Sequence, residues 1–289
     1  MKTGTGHLAW LVPRSVYFKK RVIVMSQVRL ITWNINSVRA RLPIVEKLLA
    51  DYNPDILCLQ ETKVQDHMFP LDIFNQFGLT HHALAGQKSY HGVATLSKIP
   101  MTEKNKINWC DMGDARHVET HFDNGLKLHN FYVPAGGDEP DVAINDKFAH
   151  KMDFLAEMTN WSHELPSDGK HVMVGDLNIA PLETDVWSHK KLVKVVSHTP
   201  QECDAMLSLQ EAHDWFDVMR HFVPEPERLY SWWSYRSKDW RTADKGRRLD
   251  HVWCSQPLKD KMKSMHVLEE ARGWEKPSDH APVMVEFDV

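Results

Sequence analysis

The chain has 289 residues, of which 42% are hydrophobic and 26% are charged, a balance typical of a soluble globular protein. No stretch approaches the roughly 20 consecutive apolar residues of a membrane-spanning helix, so we expect no membrane contact. The formal net charge of −4 counts mildly against a nucleic-acid binder, which often carries a basic excess. Lys and Arg nevertheless gather in residues 236–248 and at Arg29, Arg39 and Arg41, so net charge alone does not decide the partner.

The first 25 residues differ in character from the rest of the chain. They contain a short apolar patch and a basic run, but no segment long enough for a signal peptide core. We expect residues 1–25 to be a disordered or loosely attached extension, with the true start near Met25. Residues 26–289 contain no linker-like stretch and are predicted to form a single domain. Four scattered cysteines without a CxxC pair indicate reduced thiols in a cytoplasmic protein.

Apolar strands and amphipathic helices alternate along the chain. Strands are predicted over residues 28–33, 56–59, 92–96, 116–122, 126–132, 171–174, 230–235, 249–255 and 282–287. Helices are predicted over residues 38–52 and 145–163, and over most of 201–222. Asp123-Asn124-Gly125 is typical of a hairpin turn. The interleaving predicts one α/β domain of two packed sheets with outer helices.

The most informative pattern is the polar residue at or just beyond each apolar strand. Six strand ends carry such groups: Asn34 with Asn36, Glu61, Tyr132, Asp176 with Asn178, Asp250, and Asp279 with His280. Loops at the ends of strands are where rigid scaffolds hold reactive groups. If these strands share one sheet edge, the side chains converge.

Together these residues could perform metal-assisted attack on a phosphodiester. Glu61 and Asp279 are hard oxygen ligands suited to Mg²⁺, and Asn34 could support the same ion. His280 could act as general base on a water, with Asp250 orienting its ring.

Three further residues would act on the phosphate. Asp176 and Asn178, two apart after a glycine, could point at the phosphate and at the attacking or leaving oxygen. Tyr132 could donate to a non-bridging oxygen. Each candidate also has an ordinary structural explanation. The alternatives are helix capping by Asn34 and Asn36, an exposed Glu61–Lys63 ion pair, a plain turn at residues 175–178, and an ion pair between Asp250 and an arginine.

Seven short motifs fall in a recognisable order between Val28 and the C-terminus. They are Trp33-Asn34-Ile35-Asn36 with Val38-Arg39-Ala40-Arg41, Leu59-Gln60-Glu61-Thr62-Lys63, Tyr132-Val133-Pro134, Gly175-Asp176-Leu177-Asn178, Tyr230-Ser231-Trp232-Trp233-Ser234-Tyr235-Arg236, Arg248-Leu249-Asp250, and Lys276-Pro277-Ser278-Asp279-His280-Ala281-Pro282-Val283. In these motifs the chain resembles the exonuclease III family of apurinic/apyrimidinic endonucleases, within the endonuclease/exonuclease/phosphatase superfamily.

The resemblance implies a four-layered α/β sandwich of two packed mixed β-sheets flanked by helices, with the active site at one end. It implies a Mg²⁺-dependent DNA repair hydrolase, with Mn²⁺ able to substitute, that cuts double-stranded DNA 5′ of abasic sites and leaves a 3′-hydroxyl. We also expect 3′–5′ exodeoxyribonuclease and 3′-end-cleaning activity. The expected state is a monomer in the bacterial cytoplasm, associated with the nucleoid and acting in base excision repair.

The resemblance also implies roles for particular residues. The implied metal residues are Asn34, Glu61 and Asp279, the catalytic residues are Tyr132, Asp176, Asn178, Asp250 and His280, and the DNA-binding residues are Arg39, Lys63, Trp232, Arg236, Arg247 and Arg248. Asp176 would either align the nucleophile or protonate the leaving group, and His280 would be either the general base or a phosphate ligand. Trp232 falls where an aromatic lines the pocket for a flipped-out abasic sugar, with core packing an equal alternative.

Two features depart from the family pattern or separate its branches. Tyr132 stands where deoxyribonuclease I, inositol phosphatases and deadenylases have a histidine. Arg247 occupies a position that holds a bulky apolar pocket residue in some members, which affects the shape of the abasic pocket. Two other functions are compatible with this fold. One is a phosphatase or ribonuclease of the same superfamily. The other is a nucleic-acid-binding regulator without catalysis, which would have gaps among the metal and base residues.

Overall fold

The computed structural model describes Met1, residues 27–237 and residues 239–288. Apart from Met1, the predicted extension over residues 1–25 lies outside the described residues, so the division of the chain near residue 25 stays a prediction. Within the described residues, no helix combines the length and apolarity needed to cross a bilayer.

Strands and helices alternate as the sequence predicts. The strands are β1 Val28–Asn34, β2 Ile56–Gln60, β3 His81–Ala85, β4 Val93–Ser97, β5 Met101–Asn105, β6 His117–Phe122, β7 Leu126–Tyr132, β8 Lys170–Asp176, β9 Phe216–Asp217, β10 Trp232–Trp233, β11 Gly246–Arg247, β12 Asp250–Cys254, β13 Met262–Val267 and β14 Val283–Phe287. The helices are α1 Leu42–Tyr52, α2 Leu71–Gln76, α3 Asp146–Glu164, α4 His189–Leu192, α5 Pro200–Glu211, α6 Val218–Phe222 and α7 Trp240–Ala243.

Two six-stranded sheets pack face to face. Their orders are β13-β14-β1-β2-β4-β3 and β5-β6-β7-β8-β12-β9, and β10 and β11 form a separate two-stranded ribbon. Each sheet mixes parallel and antiparallel pairs: β1–β2 and β7–β8 are parallel and the other pairs antiparallel. The outer face of one sheet is covered by α1 and that of the other by α3 and α5. The predicted four-layered α/β sandwich is confirmed.

Successive residues of a strand pack alternately in the core that separates the two sheets and in one of the outer helix layers. Leu30 packs between the sheets, whereas its neighbour Ile31 packs in the outer layer with α1. Val174 and Met173 divide in the same way on β8, with Met173 in the layer of α3. Because both faces of these strands are buried, their sequences are almost continuously apolar, which is why the sequence identifies them.

The predictions that missed concern short or exposed elements. The helix predicted over residues 201–222 is two helices, α5 and α6, separated by the short strand β9. The strand predicted over residues 230–235 is only the two-residue β10. Strands β3, β5 and β13 were not predicted. All three lie at sheet edges, where exposed faces favour polar residues and remove the apolar signal.

The sheet topology brings the polar strand ends to one edge. The parallel pairs β1–β2 and β7–β8 place Asn34 beside Gln60 and Tyr132 beside Asp176. Antiparallel β12 begins at the same edge, with Asp250 paired to Asp176. Gly175 permits the close approach of β7 and β8, because its φ is +134° and a Cβ there would lie 1.9 Å from the carbonyl oxygen of Phe131.

Candidate active site

Asn34 joins the two sheets at the centre of the candidate site. Its Nδ2 donates to Oε1 of Glu61 at 2.9 Å and to Oδ2 of Asp176 at 2.8 Å. Its Oδ1 accepts from the backbone N–H of Asn36 at 3.0 Å. In this geometry Asn34 orients two carboxylates that come from different sheets, and its part in metal binding stays a prediction.

Glu61 follows β2 with a left-handed backbone, φ 50°, a conformation that non-glycine residues keep mainly where the surroundings enforce it. Nζ of Lys63 lies 2.8 Å from its Oε2. The alternative Glu61–Lys63 ion pair therefore exists, but it lies inside the site. Burial would raise the pKa of Glu61, yet Lys63 and Asn34 outweigh it and lower that pKa, so the carboxylate stays ionised.

A chain of hydrogen bonds links Glu61 to Asp279. Lys63 donates to Oδ1 of Asn36 at 2.6 Å, and Nδ2 of Asn36 donates to Oδ1 of Asp279 at 3.1 Å. Nε1 of Trp232 holds the other carboxylate oxygen of Asp279 at 3.0 Å. Two carboxylates that are distant in the sequence are thereby fixed in a single network.

The loop that carries Asp279 and His280 is tied to the end of β1. Oγ of Ser278 donates to the carbonyl oxygen of Asn34 at 2.6 Å, and Nε1 of Trp33 donates to the carbonyl oxygen of His280 at 2.9 Å. These contacts explain how an exposed-looking motif becomes a rigid part of the interior.

His280 lies between two buried aspartates. Its Nδ1 is 2.8 Å from Oδ2 of Asp250, and its Nε2 is 3.7 Å from Oδ2 of Asp176. Burial alone would lower the pKa of His280, but Asp250 and Asp176 overcome burial and raise the pKa to about 10. The alternative partner for Asp250, an arginine, is wrong, because its carboxylate binds His280.

Asp176 is fully surrounded by protein. Burial raises its pKa to about 7, with Asp250 and Glu61 adding to the effect and His280 opposing it. Asn178 donates to Asp176 through its backbone N–H at 3.0 Å and through Nδ2 at 3.2 Å. A carboxyl group with a pKa near neutrality can take up or release a proton at physiological pH.

Tyr132 lies at the end of β7 and faces the same cavity. Burial, followed by the charges of Glu61 and Asp176, holds its pKa well above the usual range, so the phenol remains a hydrogen-bond donor. The guanidinium of Arg116 lies 5.1 Å from the ring centroid. Arg116 also pairs with Asp114 at 2.9 Å and is buried.

The donor set fits a hard divalent cation. Four carboxylates, those of Glu61, Asp176, Asp250 and Asp279, face two cationic groups, Lys63 and protonated His280. Within the described residues, Oδ1 of Asp250 is buried without a hydrogen-bond partner. Ligand atoms of Asp176, Asp250 and His280 all lie within 4.8 Å of one another. The site thus gathers carboxylate oxygens around one point, and such oxygen donors favour hard cations.

A cavity of about 600 Å³ opens beside these groups. Its lining includes Glu61, Tyr132, Asp176, Trp232, Arg247 and His280. It also includes Trp187, which lies outside every predicted strand and therefore carries no sequence signal of its own. Nζ of Lys191 and of Lys245 lie 5.0 Å and 5.2 Å from the Trp187 ring centroid, so Trp187 belongs to a cationic and aromatic rim.

The residues predicted to bind DNA lie in different surroundings. Arg39 and Arg236 are exposed. Trp232, Arg247 and Arg236 line the cavity, whereas Lys63 is bound within the carboxylate network.

Arg248 requires a correction, because it lies in the interior. Its Nε and Nη2 bind Asp185 at 2.8 Å and 2.9 Å, and its Nη1 binds Asp217 at 2.6 Å. A guanidinium that is 1% exposed and doubly paired cannot reach a phosphate, so Arg248 is a structural residue. A lone arginine beside a strand gives no sequence signal that distinguishes these two uses.

Comparison with known proteins identifies the class. The chain belongs to the endonuclease/exonuclease/phosphatase family, whose model matches residues 31–280. It is 31% identical over 279 residues to exodeoxyribonuclease III of Haemophilus influenzae, covering 90% of this chain and 99% of that protein. The predicted resemblance and the predicted class, a phosphodiester-hydrolysing nuclease, are confirmed.

Solved structures agree with this assignment. An AP endonuclease from Archaeoglobus fulgidus superposes with a TM-score of 0.84 at 31% identity, covering 91% of this chain and all of that one. The 3′ phosphatase NExo from Neisseria, bound to a product DNA hairpin, superposes with a TM-score of 0.83 at 31% identity and the same coverage.

Proposed function

We propose that this protein is a Mg²⁺-dependent DNA repair hydrolase that cleaves the phosphodiester 5′ of abasic sites in double-stranded DNA and leaves a 3′-hydroxyl. Exonucleolytic removal of 3′ nucleotides and cleaning of 3′ ends would use the same site. The observation that carries the proposal is the convergence of Glu61, Asp176 and the Asp250–His280 pair from two sheets on one cavity. The names of the relatives, an exodeoxyribonuclease III and an AP endonuclease, support it.

Glu61 and Asp279 would hold the cation, with Asn34 and Asn36 orienting their carboxylates. When bound, Mg²⁺ supplies positive charge that stabilises the negative charge growing on the phosphate and on the leaving oxygen. We expect Mn²⁺ to substitute, because it accepts similar oxygen ligands.

Proton transfer is best assigned to Asp176. With a pKa of about 7, its carboxyl group can accept a proton from the attacking water or deliver one to the departing 3′ oxygen. His280 suits a different role. Because its pKa is raised to about 10, its ring is an imidazolium at neutral pH and would grip the phosphate rather than act as the base.

Asn178 and Tyr132 would donate to the non-bridging oxygens of the phosphate. Both lie at the ends of adjacent strands, and Asn178 is fixed by its bond to the carbonyl oxygen of Val133 at 2.9 Å. Donors held in place before the reaction stabilise the transition state without reorganisation.

DNA would approach along the basic rim formed by Arg39, Arg236, Lys245 and Arg247. Phosphate contacts from such side chains give sequence-independent affinity. We infer that the protein works as a cytoplasmic, nucleoid-associated monomer on duplex DNA with abasic sites or 3′ ends.

The deciding experiment uses a 5′-labelled duplex that carries one tetrahydrofuran abasic analogue. With Mg²⁺ the first product should end in a 3′-hydroxyl immediately 5′ of the analogue, before exonucleolytic shortening, and EDTA should abolish all products. The same duplex with an ordinary nucleotide is the matched control, and a ribonucleotide version tests the ribonuclease alternative. Pure, folded protein that leaves the abasic duplex intact in Mg²⁺ would refute the proposal.

A further inference from the structure

Arg247 lies on β11 in the wall of the active-site cavity. Its backbone is fixed on both sides, because it pairs with Trp232 on β10 and bridges to Val186. Its Nη1 donates to the carbonyl oxygen of Val196 at 3.1 Å and to Oγ of Ser197 at 2.6 Å. The side chain is therefore held in one orientation against the cavity.

The charge of Arg247 is not neutralised by a carboxylate. Among the ion pairs of the described residues, its neighbour Arg248 takes Asp185 and Asp217, and Glu202 is occupied by Lys151. Nε of Arg247 is buried and has no hydrogen-bond partner among the described residues. An arginine in a cavity wall without a carboxylate partner keeps its positive charge available for a ligand.

Arg247 also changes the wall that a sugar would meet. Its guanidinium carbon lies 5.4 Å from the ring centroid of Trp232, in a cation–π contact that covers one face of the indole. A base-free sugar is uncharged and packs best against an apolar wall. A guanidinium in the same wall favours an anion, for which it provides geometrically matched donors.

We propose that Arg247 is a specificity-determining residue that favours substrates whose 3′ terminus carries an additional negative charge over internal abasic sites. Two sources of that charge share the chemistry: a terminal phosphomonoester and a phosphate-linked fragment that ends in a carboxylate. The inference rests on the proposed function, in that the scissile phosphate must occupy this cavity.

The reaction on either terminus is a hydrolysis that needs only water. The water oxygen bonds to phosphorus while the bond between phosphorus and the 3′ oxygen of the DNA breaks. The water gives up one proton and the 3′ oxygen gains one. The products are a DNA 3′-hydroxyl and either inorganic phosphate or the phosphorylated carboxylate fragment.

The test compares three labelled duplexes in Mg²⁺: a gapped duplex with a 3′-phosphate, the same duplex with a 3′-phosphoglycolate, and a duplex with an internal tetrahydrofuran. For Arg247→Leu, we expect kcat/KM on the two anionic termini to fall by about tenfold to a hundredfold, as expected for loss of a charge-assisted contact. Activity on the internal abasic analogue should fall much less, so that the ratio between anionic and abasic substrates drops. Arg247→Lys retains the charge but not the fork of donors. Its kcat/KM on the two anionic termini should lie between that of the wild type and that of Arg247→Leu.

Arg236→Leu is the matched control, because it removes an exposed arginine from the rim of the same cavity. This variant should lower kcat/KM on all three substrates to a similar extent, since Arg236 contributes a general attraction to phosphates. Thermal unfolding of each variant verifies folding. An unchanged ratio between anionic and abasic substrates in folded, active Arg247→Leu would overturn the inference, and loss on only one anionic terminus would identify which group Arg247 reads.

Binding in EDTA separates this inference from the proposed function. We expect the wild-type protein to bind a 3′-phosphate hairpin more tightly than the 3′-hydroxyl hairpin, and Arg247→Leu to lose that preference. If the wild type cleaves none of the duplexes, the proposed function fails. The binding comparison then still decides the role of Arg247, because equal affinities for the two hairpins would overturn it.

Discussion

Asp176 is the residue on which the most contacts of the site converge. It accepts from the side chains of Asn34 and Asn178, lies 3.7 Å from His280, and is paired in the sheet with Asp250. Burial among other acids raises its pKa to about 7, so its protonation state can change near neutral pH.

At the residue scale, we predict that Asp176→Asn abolishes incision while duplex binding is largely retained. The amide preserves the shape of the side chain but cannot carry the proton. Single-turnover incision of the abasic duplex should slow by at least about 10³-fold, a loss typical of removing an acid–base group together with its charge. The dissociation constant, measured by anisotropy, should change little.

The control for this prediction is Asp168→Asn, which makes the same change at an exposed position outside the site. It should retain wild-type incision. Full activity in Asp176→Asn would remove Asp176 from the mechanism and return the proton-transfer role to His280.

At the element scale, a buried ion pair joins the helices α3 and α5 to the active-site loops. Lys151 on α3 and Glu202 on α5 are both fully buried and bonded to each other. Nζ of Lys151 also donates to the carbonyl oxygen of Asn178 at 2.9 Å, and Glu202 accepts from the backbone N–H of Ser197 at 2.9 Å. The pair thus supports both the loop of Asn178 and the wall that holds Arg247.

We predict that Lys151→Met lowers the free energy of unfolding by about 3–5 kcal/mol, because it leaves the Glu202 carboxylate buried without its partner. Urea unfolding followed by circular dichroism measures the change. Adding Glu202→Leu to Lys151→Met should restore part of the loss, since the unpaired charge is then gone.

The matched control is Lys47→Met, which breaks the exposed Lys47–Asp51 pair on α1. It should cost less than about 1 kcal/mol, as surface ion pairs usually do. Equal losses for Lys151→Met and Lys47→Met would contradict the structural role of the buried pair.

At the scale of the whole molecule, neutral histidines stack on one another across the sheet that contains β6, β7 and β8. His117, His129 and His171 come from neighbouring strands, with ring centroids 5.8 Å and 5.4 Å apart. Burial lowers the pKa of His117 to about 3 and holds that of His129 well below its usual value. His121, four residues after His117 on the same strand, pairs with Glu119 and Glu103.

These depressed pKa values predict acid sensitivity of the fold. In the unfolded chain a histidine binds its proton near pH 6.5, whereas His117 and His129 stay neutral in the folded state. Their contribution is therefore fully present above about pH 6.5 and is lost as the pH falls toward the folded-state pKa. Each should remove about 1.4 kcal/mol of unfolding free energy per pH unit in that window.

Urea unfolding at pH 7.5, 6.5 and 5.5 measures this slope. His117→Phe keeps a ring stacked on Phe131. It should reduce the dependence of the unfolding free energy on pH by about 1.4 kcal/mol per pH unit, the contribution of one histidine. A stability that does not change between pH 7.5 and 5.5 would contradict the prediction.

The sequence by itself determined the layered fold and the identities of the converging acids. Strands β1, β2, β7, β8, β12 and β14 are buried on both faces or one, which leaves an apolar pattern that ends at the polar residue of the site. Parallel and antiparallel pairing then requires those ends to meet at one edge, so the candidate residues could be predicted together.

Only the tertiary structure decided which groups contact each other. It placed Arg248 in an interior ion-pair network and Arg247 in the cavity wall, although the two are adjacent in the sequence. It also placed the amide nitrogen of Asn34 between Glu61 and Asp176. The physical reason is that side-chain burial, pairing and pKa depend on neighbours brought in from distant segments, and local sequence patterns carry no record of them.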